Sequence, residues 1–401
     1  MLAQYFPPDV NGSSTRVYNA ARGLLLQGCR VTVVTSFPHY PNGRIPPKYK
    51  NKILTREEIE GIIVVRTWIP KLSHSVIFQR VLSHISFVFL SLLGLRYVRK
   101  ADVIFAMNPN LFVFFSAIMY KVLFRKNIIR NVDDLWPEVF YDLGIVKSAV
   151  AKRILDFLAK ISYRIPAAII PVSYGYVKTL LTKYRVPSEK IIVIEHGVDI
   201  EQFRAHKKDS DAASRGRKTV MYSGALNIGY DFETVIKAAN LLRSERVSFI
   251  IRGAGELSDR LTRMVKEYGL TNVAIITELL PRAELVTFLN SADIFLLPMS
   301  HLGVIDQGLP TKILEYQALG KPIVCISTGE AANYIMRTQS GLVATRRQPE
   351  ELARLIMQLV NDDELACRLG CNGSNNIRTN LTLEMVGKRL MEVINKITTP
   401  R

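Results

Sequence analysis

The chain has 401 residues, 48% of them hydrophobic and 22% charged, with a formal net charge of +18. That length exceeds one comfortable core and suits two α/β domains, and no repeat or low-complexity tail interrupts it. The surplus of cations calls for an anionic partner, and nucleic acid is the poorest choice, because no zinc-finger spacing, RNP-like aromatic motif or long basic arm appears.

Only Met1–Phe6 precede Pro7-Pro8, a short stretch for a first parallel strand, so either the start codon is misassigned or the strand is trimmed. The loop Pro7–Ser14 leads into a helix predicted over 14–27. Gly12 lets backbone approach a ligand, Ser13 or Ser14 can cap the helix, and Arg16 can reach a diphosphate; a bare turn accounts for the same residues. Strands are predicted at 31–35, 62–66, 102–106, 127–131, 168–172 and 191–194.

Three segments, 76–95, 111–126 and 148–165, are apolar and edged with Lys and Arg. They suit helices lying in a lipid headgroup layer, or helices buried between a sheet and its neighbours. Arg80 and His84 argue against 76–95 as a membrane span. Directly after strand 127–131, Asp133-Asp134-Leu135-Trp136-Pro137-Glu138 sets three carboxylates around an indole. Sugar rings stack on such faces, but Asp134 can equally cap a helix while Trp136 packs in the core. Glu195-His196-Gly197-Val198-Asp199 follows strand 191–194, where the chain crosses between halves, so His196 either lines a cleft or is merely a hinge residue.

The polar stretch from His206 to Lys218 reads as an interdomain linker. The pattern then restarts with strands at 219–223, 247–251, 273–276, 293–297, 322–326 and 342–344, and helices at 232–243, 256–268, 282–290 and 349–360. Such alternation predicts parallel sheets with helices on both faces and ligands beyond the carboxyl ends of the strands. Gly253-Ala254-Gly255 is a weak glycine turn that lacks the third glycine and later acid of a dinucleotide fingerprint.

The richest stretch is 308–324. A short helix is predicted to start at Pro310 and stop at Gly320. Its free N–H groups, with Thr311 and Lys312, form a positive pocket suited to a phosphate, and Glu315 on the same face can accept from both hydroxyls of a ribose. An ordinary cap with a solvated Lys–Glu pair is the other account. Cys29 and Cys325 sit beside apolar strands like buried thiols, Cys367 and Cys371 lack a nearby histidine for zinc, and without a secretory signal all are expected reduced in a cytoplasm.

In this order the segments resemble the retaining family-4 glycosyltransferases of the GT-B fold over nearly the whole chain. Within that family they are similar to the polysaccharide-assembly branch of L-fucosamine transferases. The resemblance is carried by Tyr5-Phe-Pro-Pro with Arg16, Val31-Thr-Val-Val-Thr followed by Pro38-His-Tyr-Pro41, Asp134-Leu-Trp-Pro-Glu138, His196-Gly-Val-Asp199, Tyr222-Ser-Gly224 and Pro310-Thr-Lys-Ile-Leu-Glu315. It implies an α/β fold of two Rossmann-like, doubly wound parallel-sheet domains facing across a cleft. Residues 1–204 would be the acceptor side with membrane-facing helices, 205–380 the nucleotide-sugar domain, and 381–401 a helix packing back toward the first.

The resemblance also implies Glu315 at the donor ribose, and Pro310, Thr311, Lys312 and nearby N–H groups at the diphosphate. Gly12 and Arg16 would close over the reacting sugar and phosphate, Asp134 with Asp133 would sit near that sugar, and Gly224 would let the chain pass close to the nucleotide. Gly253 and His196 complete the donor-side set. Two departures stand out: Gln307 replaces the glutamate that the family pairs with Glu315, and Ala225 and Tyr230 stand where many members carry Arg and Lys. Neutralising the diphosphate then falls to Lys312, Arg16 or Arg252.

The implied substrate is a UDP-linked nucleotide-sugar, with no metal and no cofactor. The implied acceptor is a sugar on a polyprenyl-diphosphate carrier at the anionic cytoplasmic face of the membrane. Two rivals share these features: a nucleotide-sugar epimerase of the same fold, and a non-catalytic partner subunit of a transferase. A nicotinamide dehydrogenase is disfavoured for want of the glycine fingerprint.

Overall fold

In the computed structural model, residues 1–9, 11–40, 43–70, 77–107, 112–203, 216–278, 280–301 and 303–399 are described. The expected linker lies outside them up to Arg215, as do Val10, Pro41, Val76 and Leu111 of the segments above. The chain divides into two units, Met1–Gly197 with Leu383–Arg401, and Val198–Thr382.

The first unit runs α1 (Gly12–Leu26), β1 (Thr32–Ser36), β2 (Leu54–Ile59), β3 (Ile62–Thr67), α2 (Ile77–Leu90), α3 (Leu95–Val98), β4 (Val103–Ala106), α4 (Val113–Phe124), β5 (Asn127–Val132), α5 (Glu138–Asp142), α6 (Ala149–Arg164), β6 (Ala168–Pro171) and α7 (Val177–Thr182). Its strands form two three-stranded sheets, β1-β3-β2 and β4-β5-β6. The short N-terminal stretch joins them. Leu2 bridges Val34 on one side and Ala106 on the other, both in parallel, and its N–H donates to Phe105 O at 2.8 Å while Ala3 N–H donates to Val34 O at 3.1 Å. A few extended residues between two sheet edges suffice because their backbone groups pair on both sides.

Three expectations need correction here. The sheet is not purely parallel: β2 runs antiparallel to β3 through Glu60-Gly61, whose φ values of 48° and 80° give the left-handed turn that matches strand twist. The strand expected at 191–194 reduces to one bridge between Ile191 and Ile169, with Ile192 and Ile194 N–H groups donating to carbonyls of Ile169 and Pro171. Helix α1 also starts earlier than predicted, and its cap is Asn11, whose side chain accepts from Ser14 N–H at 2.8 Å, rather than Ser13 or Ser14.

The second unit runs β7 (Lys218–Ser223), α8 (Phe232–Leu241), β8 (Val247–Arg252), α9 (Ser258–Glu267), β9 (Val273–Ile276), α10 (Arg282–Asn290), β10 (Ile294–Pro298), α11 (Thr311–Ala318), β11 (Ile323–Ile326), α12 (Glu330–Thr338), β12 (Gly341–Ala344), α13 (Pro349–Asn361) and α14 (Asp363–Asn380). Its six strands are all parallel in the order β12-β11-β10-β7-β8-β9. That order reverses direction between β7 and β10, so the crevice at their carboxyl ends is the switch point where ligands of such sheets bind. A core including Val220, Tyr222, Phe249, Ile251, Leu296 and Val324 fills one side of the sheet beneath it.

A last helix, α15 (Leu383–Thr398), belongs to the first unit. It crosses α1 where two glycines meet: a Cβ on Gly387 would stand 2.1 Å from Gly23 O, and one on Gly23 would stand 2.6 Å from Leu383 O. Backbones can approach this closely only where side chains are missing. Arg389 fastens the helix further, donating to Val193 O at 2.7 Å and to the Glu195 carboxylate at 3.2 Å.

Candidate functional site

In the second unit, the candidate residues collect at the switch point. Pro310 occupies the N-cap position with extended backbone, so α11 opens at Thr311. The helix is docked by Tyr316, whose hydroxyl accepts from Ser223 N–H at 3.0 Å and donates to Ser223 O at 3.1 Å, while its ring stacks on Phe295 at 3.8 Å. One turn earlier, Lys312 therefore lies across the end of β7. Its ammonium donates to Tyr230 Oη at 2.7 Å and lies 4.5 Å from that ring's centroid. Thr311 and Glu315 are half-buried on the same helix.

Gly224 is required by the lysine beside it. At φ 147° a Cβ there would stand 1.9 Å from Lys312 Cε, so the glycine makes room for the lysine stem. Gly253, at φ 145°, packs against Gly224 O, which a Cβ would approach to 1.7 Å. It builds the floor of the crevice. Arg252 is turned away: it is buried and donates to Glu278 O at 2.6 Å. Of the cations considered for a diphosphate, Lys312 is the one this crevice presents.

Gln307 is half-buried in a short turn just before Pro310. Its neighbour Asp306, which the sequence did not mark, accepts from Ser327 Oγ at 2.8 Å and Thr328 Oγ1 at 3.3 Å, tying this turn to the end of β11. Tyr230 stands where many members of the family carry a cation, yet its phenol orients Lys312. Nothing in its local sequence marks that contact, which depends on how β7 and α11 meet.

In the first unit, Asp133 is the hub. Its carboxylate is buried, accepts from Asn131 Nδ2, and lies 3.8 Å from Arg16 Nε and 3.4 Å from His196 Nε2. Burial pushes its carboxyl up to about 6, against the pull of Arg16. Burial, helped by Arg16, drives His196 well below the usual imidazole range, so that ring is neutral. Asp134 differs. It is half-buried and its carboxylate has no hydrogen bond or ion pair among the described residues, while burial raises its pKa against the effect of Arg16. Asp133 thus holds the structure together and Asp134 is left available.

Glu138 leaves the cluster of three carboxylates, because it is committed to Tyr184 Oη and to Lys183 Nζ at 2.8 Å. Trp136 is half-buried with its ring 4.5 Å from that of Phe140. Gly12 opens α1, exposed, and an added Cβ would meet nothing within 4 Å. Among the described residues, no contact requires a glycine there.

Surface features fall on the apolar segments. On α6, Val150, Ile154 and Phe157 recur at helical spacing and are 65%, 55% and 64% exposed, with exposed Arg153, Lys160 and Arg164 beside them. Leu82, Ile85 and Phe89 of α2 are also exposed. Among the described residues, one helical window, Val81–Val98, is long and apolar enough to cross a membrane by length and composition, with a mean hydropathy of 1.7.

Two α/β units with mainly parallel sheets, one presenting a lysine-bearing helix start at its switch point, define a protein of the GT-B class. The coordinates match sucrose-phosphate synthase from Thermosynechococcus elongatus with a TM-score of 0.75 at 15% identity, covering 99% of this chain and 98% of that one. Anabaena Alr3699/HepE, solved in complex with UDP and glucose, matches with a TM-score of 0.71 at 15% identity, covering 98% of each chain. Residues 10–202 match the family described as Glycosyltransferase Family 4, and residues 203–376 the one described as Glycosyl transferases group 1. The chain belongs to this group-1/family-4 class of glycosyltransferases. Among relatives, WcaI of Escherichia coli K12, named for colanic acid biosynthesis, is 24% identical over 368 residues, 88% of each chain. The amylovoran biosynthesis glycosyltransferase AmsK of Erwinia amylovora is 23% identical over 214 residues, 53% of this chain and 52% of that one.

Proposed function

We propose that this protein transfers a sugar, of hexose or N-acetylated aminosugar type, from a UDP-linked donor to a lipid-linked glycan at the cytoplasmic face of a membrane, with retention of anomeric configuration, during assembly of a surface polysaccharide. The observation that carries the donor half is Lys312 laid across Gly224 at the switch point, one turn from Glu315. A diphosphate at the start of α11 meets free N–H groups and this ammonium, and Glu315 receives the ribose hydroxyls. As the bond between anomeric carbon and diphosphate breaks, charge grows on the leaving oxygen, where Lys312 and the helix start stabilise the transition state more than the ground state. The acceptor hydroxyl attacks from the side the diphosphate leaves, and the departing phosphate takes its proton. Gln307 hydrogen-bonds a sugar hydroxyl without adding charge. Arg16 and Asp134 keep the sugar-side roles that the family resemblance implies.

The exposed apolar stripe of α6, flanked by cations, supports the membrane half. The deciding assay measures nucleotide release from a panel of UDP- and GDP-sugars with and without a bacterial membrane lipid fraction. Release that requires one donor and the lipid fraction is the expected result. Release without acceptor would instead indicate an epimerase or hydrolase, and silence from protein that still binds UDP would indicate a partner subunit. That last reading draws on Gln307, which carries no charge where the family has a glutamate.

A further inference from the structure

Three tyrosines with buried rings converge on the turn that carries Asp133 and Asp134, each gripping a different point. Tyr176 Oη donates to Asp133 O at 3.1 Å. Tyr163 Oη accepts from Trp136 N–H at 3.2 Å and donates to Trp136 O at 2.9 Å, so one hydroxyl holds both backbone groups of a single residue. Tyr184 Oη donates to the Glu138 carboxylate. The rings of Tyr163 and Tyr184 pack at 4.7 Å. The tyrosines come from α6, from the turn after β6 and from the segment after α7, none of them adjacent in sequence to the turn they hold.

Behind this set sits an oddity. Arg130 is 1% exposed and none of its side-chain nitrogens has a hydrogen-bond partner among the described residues. Its guanidinium lies 4.2 Å from the Tyr163 ring and 5.2 Å from the Phe114 ring. A buried cation satisfied only by ring faces is costly, and an apolar side chain would suit a plain core better. Such a departure from good packing is expected where geometry matters more than stability. The guanidinium seats the ring of Tyr163, and the ring's hydroxyl fixes Trp136.

We infer that Tyr163 and Tyr176 are positioning residues for sugar transfer: with Arg130 behind them, they lock the Asp133–Glu138 turn so that the uncommitted carboxylate of Asp134 is presented in one orientation. This inference rests on the proposed transfer for its kinetic consequence and on geometry alone for the clamp. Loss of the Tyr163 hydroxyl leaves packing intact and frees the two backbone groups of Trp136. The turn should then sample several positions, which lowers turnover without touching nucleotide binding.

The test uses the full chain with Tyr163→Phe. The protein has two tryptophans, so a Trp68→Phe background leaves Trp136 as the sole indole reporter. Adding Tyr163→Phe to that background should raise acrylamide quenching of Trp136 at least about twofold, because the backbone that holds the indole loosens. In sugar transfer, Tyr163→Phe should lower kcat by roughly 10- to 100-fold with UDP affinity unchanged. Arg130→Met should loosen the indole in the same way while its melting temperature holds or rises, a combination that a merely structural arginine would not produce. Unchanged quenching overturns the clamp. Raised quenching with kcat unaltered overturns the positioning role. If wild-type protein transfers no sugar from any donor, the proposed function fails and the quenching result alone decides the clamp.

Discussion

Lys312 owes its place to a glycine and two phenols. Gly224 vacates the space, Tyr230 accepts from the ammonium, and Tyr316 holds the helix one turn on. Gly224→Ala should therefore act on the lysine as much as on the strand, since the new methyl group both clashes with Lys312 Cε and occupies a backbone conformation costly for L-residues. UDP affinity, read by calorimetry, should fall at least about tenfold. Lys312→Ala should cut turnover by about 100-fold, the scale of losing one charged stabiliser of a leaving group. Glu315→Ala should chiefly weaken UDP binding, and unchanged affinity would remove Glu315 from the ribose. Asp133 makes a different kind of prediction. Its folded pKa, about 6, lies above the unfolded value, so the folded state holds a proton the unfolded chain has lost. Asp133 therefore costs stability as pH rises from about 4 to about 6. Asp9, raised to about 6, acts in the same sense, while His39, lowered to about 4, and His196 act in the opposite one. Asp133→Asn removes one of the opposing groups, so its stability should climb with pH relative to wild type, by on the order of 2 to 3 kcal/mol over the window in urea unfolding.

At the scale of elements, the crossing of α1 and α15 is the most exacting contact. Gly387→Leu would place a side chain where a Cβ alone already meets Gly23 O at 2.1 Å. The helices must separate, and the unfolding midpoint should drop by an amount equivalent to about 3 kcal/mol or more, as overpacking of a close crossing demands. Gly370→Leu serves as a comparison, since a Cβ there meets Gly320 O at 2.2 Å but on α14 of the other unit. In a protein with two units, these substitutions should lower different transitions in a thermal scan, and identical traces would mean the units unfold together. The same elements show what a sequence can and cannot announce. The parallel strands of the second unit are legible because each is a short apolar run bounded by turn residues, as in Ile294–Pro298. The switch point follows from their order, which alternation suggests but does not fix. Strand β2 was missed because Leu-Thr-Arg-Glu-Glu-Ile looks polar, although its alternation and the following Glu-Gly turn are a hairpin signal. The assignment of Asp133 to holding and Asp134 to availability was not legible at all. Adjacent identical residues differ only in what the fold brings to them: Asn131 and His196 reach Asp133 and not Asp134, and Arg16 forms its ion pair with Asp133 while acting on Asp134 only through its charge.

At the scale of the molecule, the charge of +18 and the exposed apolar side chains of α6 belong to one physical argument. Neither alone would hold a protein on a bilayer. Isolated exposed apolar residues are common on soluble surfaces, and diffuse positive charge is weakened by salt within about 8–10 Å. In the proposed membrane contact they would act in sequence: anionic headgroups attract the cations, and Val150, Ile154 and Phe157 then insert, each able to contribute about 1.5–3 kcal/mol if fully buried in the acyl region. Binding should consequently require both terms. Protein floated with vesicles of phosphatidylethanolamine and phosphatidylglycerol should be lost when the anionic lipid is omitted, and lost progressively as salt rises from ~0.1 to ~0.5 M. Ile154→Glu with Phe157→Glu should lower flotation at least about tenfold at low salt, because a carboxylate in the headgroup layer resists insertion and meets like charge. Both positions are exposed, so the melting temperature should stay within a few degrees of wild type. Flotation that ignores the anionic lipid would assign the surplus of positive charge to some other partner. Flotation that survives the double substitution would shift the contact to the exposed face of α2, where Leu82, Ile85 and Phe89 offer the next apolar stripe.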